Sequence, residues 1–100
     1  MKEELELEQR LVDKGLTAPR ITPAMIDAII VAEQYYVFPG TTLTVCCLHL
    51  ANGFTVTGES ACASPENFNE EIGRELAKKQ ARDKIWALEG YALRNKLNGQ

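Results

Sequence analysis

The single histidine of this 100-residue chain, His49, and its three cysteines, Cys46, Cys47 and Cys62, are the residues whose types could do acid–base, nucleophilic or metal chemistry. A general base must reach a polar reacting group. His49 instead sits in the run Thr42–Leu50, where alternate positions are apolar, and reads as a structural histidine. Cys62 follows Glu59 and Ser60 in a polar bend; it becomes a nucleophile only if a cation lowers its pKa, and is otherwise a small apolar filler. Cys46 and Cys47 are adjacent, so in a strand they point to opposite faces. With no C-x-x-C pair and one histidine, the spacing does not make a four-ligand zinc site. The sequence therefore predicts a protein that is not an enzyme and carries no cofactor.

Binding asks for less. Phe68, Tyr91, Trp86, Tyr35 and Tyr36 can stack on a base, and Arg94, Lys84 and Arg82 can serve a phosphate. Ser60, Asn67 and the backbone amides of residues 64–67 make a polar cradle if a helix starts there. The plainer reading makes Trp86 a core or dimer contact, and leaves Glu70, Arg74, Lys78, Arg82 and Lys84 as a solvated helix surface.

Composition narrows the partners. The net charge of -3 argues against a general nucleic-acid binder, which needs a basic face to displace counterions. No apolar run approaches the roughly 18 residues that span a bilayer, and the acidic start lacks the order of a secretory leader, so no membrane partner and a cytoplasmic location are expected. A chain this short buries a modest core, which makes oligomerisation an expectation.

The elements that must position these residues follow from local signals. Residues 3–14 can form a frayed, partner-dependent helical arm that Gly15 ends, and Pro19 marks a linker; residues 1–21 are read as arm and linker, 22–100 as one domain. Thr22-Pro23 starts a helix expected over 23–33. Residues 35–38 form a short strand, 42–50 a clear one, and Asn52-Gly53 predicts a two-residue type I′ hairpin. That register pairs His49 with Val56 and places Leu43, Val45, Cys47, His49, Phe54 and Val56 on the core face. Thr44, Cys46, Leu48, Leu50, Thr55 and Thr57 fall on the other, as a candidate subunit interface. Gly58 marks a bulge or a close backbone approach. Ser64-Pro65 predicts the start of a helix running to about Leu97, kinked near Gly90, with Phe68, Ile72, Leu76, Ala81, Ile85, Leu88 and Ala92 as its apolar row. The fold class is α+β: an N-terminal helix, a small antiparallel sheet with an Asn-Gly hairpin, and a long C-terminal helix packed on the sheet.

Four blocks in order, Tyr36-Val-Phe-Pro-Gly-Thr-Thr-Leu-Thr-Val45, Asn52-Gly-Phe-Thr-Val-Thr-Gly-Glu-Ser60, Ser64-Pro-Glu-Asn-Phe68 and Lys84-Ile-Trp-Ala-Leu-Glu-Gly-Tyr-Ala-Leu-Arg94, resemble a family of small proteins of tailed phages and prophages. The same pattern is similar to the phage anti-Thoeris sponges, which hold the cyclic ADP-ribose immune signal without cleaving it. That resemblance implies a homodimer or a higher homo-oligomer up to a hexamer, with the ligand at an interface of hairpin strands and long helix. It implies that Phe68 stacks on the adenine, that Arg94 grips the pyrophosphate, and that Asn67, Tyr91 and Ser60 frame them. The rival expectation is a small oligomeric interaction module that binds a host or phage protein through the acidic arm and the helix surface.

Overall fold

Thr22 caps the first helix of the domain: its hydroxyl accepts the Met25 amide at 3.2 Å, and Pro23 takes the first helical position, where no donor is needed. The computed structural model describes residues 2–100. Ahead of this cap, helix α1 (Lys2–Asp13) ends at Gly15, whose φ of 69° lets the Leu16 amide reach back to the Leu11 carbonyl at 2.9 Å. Helix α2 (Pro23–Ile29) is shorter than the 23–33 expected from its apolar spacing. The β-branched Ile30 and Val31 open strand β1 (Ile30–Val37) without a loop, because pairing along β2 outweighs one more turn of helix. Val31 is an extra residue in that ladder, between the pairs Ile30–Leu50 and Ala32–His49.

Strands β2 (Leu43–Leu50) and β3 (Thr55–Ala61) complete an antiparallel sheet of order β1-β2-β3. The hairpin is not the expected two-residue type I′ turn. Leu50 donates to the Phe54 carbonyl at 2.8 Å, so the loop is Ala51-Asn52-Gly53, and only Gly53 takes a positive φ, 92°. Asn52 Oδ1 accepts the Phe54 amide at 2.9 Å and closes this three-residue turn. The register therefore slips by one, pairing Leu48 with Val56 and Cys46 with Gly58, so β2 and β3 present opposite faces to those expected relative to one another.

On β2 the core face is the opposite of the expected one, while Val56 of β3 is in the core as expected. Thr44, Cys46, Leu48, Leu50, Val56 and Gly58 are buried, whereas Leu43, Val45, Cys47 and His49 lie half-buried on the face that no element of the chain covers. The deciding residue is Gly58. A Cβ there would come within 3.0 Å of the Ala77 carbonyl oxygen and the Ala81 amide nitrogen, so the long helix α3 (Glu70–Leu97) lies backbone to backbone on β3. Its contact stripe is the small residues Gly73, Ala77 and Ala81 with Ile85, while Ile72 and Leu76 of the expected apolar row are about half exposed.

α3 begins later than expected. Pro65–Asn67 form a single 3-10 turn, Ser64 makes no side-chain cap, and the helix cap is Asn69, whose Oδ1 accepts the Ile72 amide at 3.0 Å. From there 28 residues run without a break at Gly90, roughly 42 Å at 1.5 Å per residue. Ile26 of α2 closes one end of the core, with Trp86 packed against it.

Candidate functional site

The bend after β3 and the 3-10 turn bring three of the expected ligand residues together. Ser60 lies opposite Thr44 on the helix side of the sheet, Phe68 is half-buried, and Asn67 stands exposed beside it. With Thr42, Ile72 and Leu76 they line a cleft of about 50 Å³. The cleft is held in shape by its polar neighbours: the Thr42 hydroxyl donates to the Cys62 carbonyl at 2.7 Å, and the Cys62 thiol to the Ser64 carbonyl at 3.4 Å. Directly behind Phe68, Gly73 leaves room for Thr44, whose hydroxyl oxygen would sit 2.8 Å from a Cβ at that position and is buried with no partner. Because the α-helix starts at Asn69 and its first turn carries Glu70 and Glu71, the expected anion cradle of amides at residues 64–67 is not formed by a helix end.

Tyr91 and Arg94 lie elsewhere in the chain. Both are exposed in the last third of α3, and Arg94 is 18 residues beyond Leu76, roughly 27 Å along the helix axis. A single chain thus presents Ser60, Asn67 and Phe68 at one end of α3 and Tyr91 and Arg94 at the other.

The residues with catalytic potential are occupied otherwise. His49 stands on the uncovered face, with Nε2 2.6 Å from Gln34 Oε1 and 4.0 Å from Cys47 Sγ. The nitrogen nearest the thiol is the one engaged by Gln34, which removes it as a base toward Cys47. Cys46 is buried, and that burial pushes its thiol pKa up. No group of three or more His, Cys, Asp or Glu with metal-site geometry occurs among the described residues.

Sequence reasoning missed two features. Arg82, expected on the solvated surface or at a phosphate, is 5% exposed; its Nε donates to Asp27 at 2.9 Å and its Nη1 to Glu4 at 2.6 Å. Burial works to lower its pKa, and the two carboxylates more than offset that, so it stays charged. The second feature is a cleft of about 700 Å³ beside β1, which α3 leaves open by lying over β2 and β3. Its floor is Tyr35 and Glu33 and its wall Arg74 and Lys78. Lys78 bonds Glu33 at 2.8 Å and holds that carboxyl below its ordinary pKa, while burial and Glu33 together raise the Tyr35 phenol. Arg74 lies over the Tyr35 ring at 5.3 Å. The spacing of Arg74 and Lys78 one turn apart gave no hint that β1 would sit beside them.

With this geometry in view, residues 21–97 match the model of the phage protein (N4 Gp49/phage Sf6 gene 66) family. The chain belongs to that family. The match takes in α2, the sheet, the 3-10 turn and all of α3, so Ser60, Asn67, Phe68, Tyr91 and Arg94 all lie within it, and α1 lies outside it. Comparison with curated proteins and with solved structures gave no match. No helix among the described residues is long and apolar enough to cross a membrane.

Proposed function

We propose that this phage-family protein binds and sequesters a cyclic nucleotide immune signal of the cyclic ADP-ribose type without cleaving it, acting as a homo-oligomer in the bacterial cytoplasm. The observation that carries the reading is the pairing of the Ser60–Asn67–Phe68 cleft with family blocks that also hold Tyr91 and Arg94. At about 50 Å³ the cleft holds little more than a ring edge, against the roughly 300–1,000 Å³ of a small-molecule site. A second copy supplies the rest in this reading, its Tyr91 and Arg94 closing over the neighbour's Phe68.

The uncovered sheet face supports association. Leu43, Val45 and Cys47 on β2 lie beside Tyr36 on β1, whose ring meets Phe38 edge-on at 4.8 Å. Such an apolar face is the kind that oligomer contacts remove from water. In a closed site Phe68 stacks on the base, Arg94 binds the pyrophosphate, and the hydroxyl of Ser60 and the amide of Asn67 orient the sugar.

Isothermal calorimetry with cyclic ADP-ribose isomers tests the reading. Saturable binding is expected, with intact ligand recovered after the complex is heated. Absence of heat at tens of micromolar protein, or recovery of hydrolysed ligand, contradicts it.

A further inference from the structure

We propose that Arg20 and Arg82 form a second anion site, specific for a diphosphate group, which α1 occupies in the resting protein with the carboxylates of Glu4 and Glu8. Helix α1 buries no residue, and Leu5, Leu7 and Val12 are each more than half exposed. Its side-chain ties to the rest of the protein, among the described residues, are two ion pairs: Glu4 Oε2 to Arg82 Nη1 and Glu8 Oε2 to Arg20 Nη2, each 2.6 Å. A helix whose one half-buried apolar side chain is Leu11, and which is otherwise held by carboxylates on two guanidinium groups, is displaced by an anion that serves those groups better.

The two acceptors have the spacing of a definite ligand class. Glu4 and Glu8 are one turn apart on one face of α1, with about 6 Å between Cβ atoms of such neighbours. The outer oxygens of a diphosphate span a comparable gap and bring more charge and more acceptors. Arg82 does not depend on α1 for its position, whereas Arg20 is held by the segment that follows α1. Arg82 is fixed by Nε to Asp27 Oδ1 at 2.9 Å and by Nη2 to the Pro23 carbonyl at 3.5 Å, and its side chain is 6% exposed. Arg20 is anchored through Nη1 to the Leu16 carbonyl at 3.5 Å, and its Nε is buried without an acceptor, a donor that the α1 carboxylate leaves unused. With α1 lifted, Arg20 and Arg82 face one carboxylate, Asp27, and the site is cationic; with α1 in place, three carboxylates face the two arginines. The arm lies outside the shared domain together with Arg20, since the family match begins at residue 21, while Arg82 lies within it. α1 is therefore an inhibitory cover over an anion site, distinct from the Phe68 cleft and independent of the nucleotide reading.

The test uses the full chain. Glu4→Gln/Glu8→Gln keeps the length of both side chains and removes their charge. Binding of inorganic pyrophosphate and of ADP is measured by calorimetry for parent and variant, with the arginine Nε–Hε resonances followed by NMR. At least 10-fold tighter binding of pyrophosphate to the variant is expected, with the Arg20 and Arg82 signals moving and those of Arg74 and Arg94 still; adding Arg20→Gln removes the gain. Tighter binding of ADP than of pyrophosphate assigns the group to a nucleoside diphosphate, and equal binding to a free one. Equal affinity in parent and variant overturns the proposal, as does binding that survives Arg20→Gln. It is equally overturned if a peptide of residues 2–14 competes for the variant while pyrophosphate does not.

Discussion

Replacing Gly58 by alanine asks the fold to accept one methyl group where α3 rests on β3. The added Cβ meets the Ala77 carbonyl oxygen and the Ala81 amide nitrogen closer than 3.0 Å, and the Ala81 Cα at 3.0 Å. All three are backbone atoms, so no side chain can swing aside and the helix itself must lift. A lift of about 1 Å forfeits a quarter to a half of each dispersion contact along the stripe of Gly73, Ala77 and Ala81. Overpacking costs about 1–3 kcal/mol, and a rigid backbone neighbour puts this case near the upper figure. Gly58 has no positive φ, so the backbone of alanine fits and the clash is isolated. Unfolding entropy near 2 cal/mol/K per residue gives about 0.2 kcal/mol/K for a chain of this size, so a loss of about 3 kcal/mol lowers Tm by roughly 15 °C. Thermal melts followed by circular dichroism read it directly. Gly90→Ala is the control: its Cβ meets nothing within 4 Å, and a helix-interior glycine replaced by alanine gains about 0.5–1 kcal/mol. A Gly58→Ala protein melting within about 3 °C of the parent would refute the close approach, and with it the assignment of the core face.

Other consequences can be checked in the same preparations. Arg82→Met removes a buried cation from between Glu4 and Asp27; since both carboxylates retain some access to water, the loss is about 2 kcal/mol rather than the 3–5 of a fully buried pair, measured by urea titration. Glu33 has its pKa lowered by Lys78, so its contribution is present above the unfolded carboxylate pKa and is lost as pH falls through the folded value. The pair is about two-fifths exposed, so the Tm difference between parent and Glu33→Gln should be small at pH 7 and shrink as the pH is taken below the ordinary carboxylate range; a difference that grows on acidification contradicts the assignment. Val45→Lys, on the uncovered face, is expected to leave the fold intact and reduce the mass in sedimentation to that of one chain, whereas an unchanged oligomer places the interface elsewhere. Phe68→Ala and Arg94→Ala should each weaken binding of the cyclic nucleotide at least 10-fold, as a charge-assisted bond of roughly 1.5–3 kcal/mol implies for the arginine; unaltered affinity in both moves the site.

How legible the fold was varies by element for physical reasons. Thr22-Pro23, the β2 run and the close approach at Gly58 are local signals, and each appears where the residues say. The core face was not legible, because Leu43, Val45, Cys47 and His49 are about as apolar as Thr44, Cys46, Leu48 and Leu50. The choice between them rests on which face lets α3 reach Gly58, a contact between residues more than 18 positions apart in the chain. The hairpin misled because Asn-Gly suits both a two-residue turn and a three-residue turn ending in a left-handed glycine, and the two differ by one residue of register. The small-residue stripe of α3 escaped a reading tuned to large side chains. Ser60, Asn67 and Phe68 could be grouped because they fall within nine consecutive residues, whereas their distance from Tyr91 and Arg94 depends on a helix that runs straight through Gly90. Arg82 looked like any exposed helix cation, since its partners, Glu4 and Asp27, lie far away in sequence.

Sequestration itself is tested most directly by purifying the protein from bacterial cells in which a TIR enzyme is producing its cyclic ADP-ribose signal, denaturing it, and identifying the released small molecules by mass spectrometry. The intact cyclic nucleotide is expected, released in near-stoichiometric amount from the parent and absent from Phe68→Ala prepared in parallel. Release of no nucleotide from the parent, or of equal amounts from parent and variant, would contradict it.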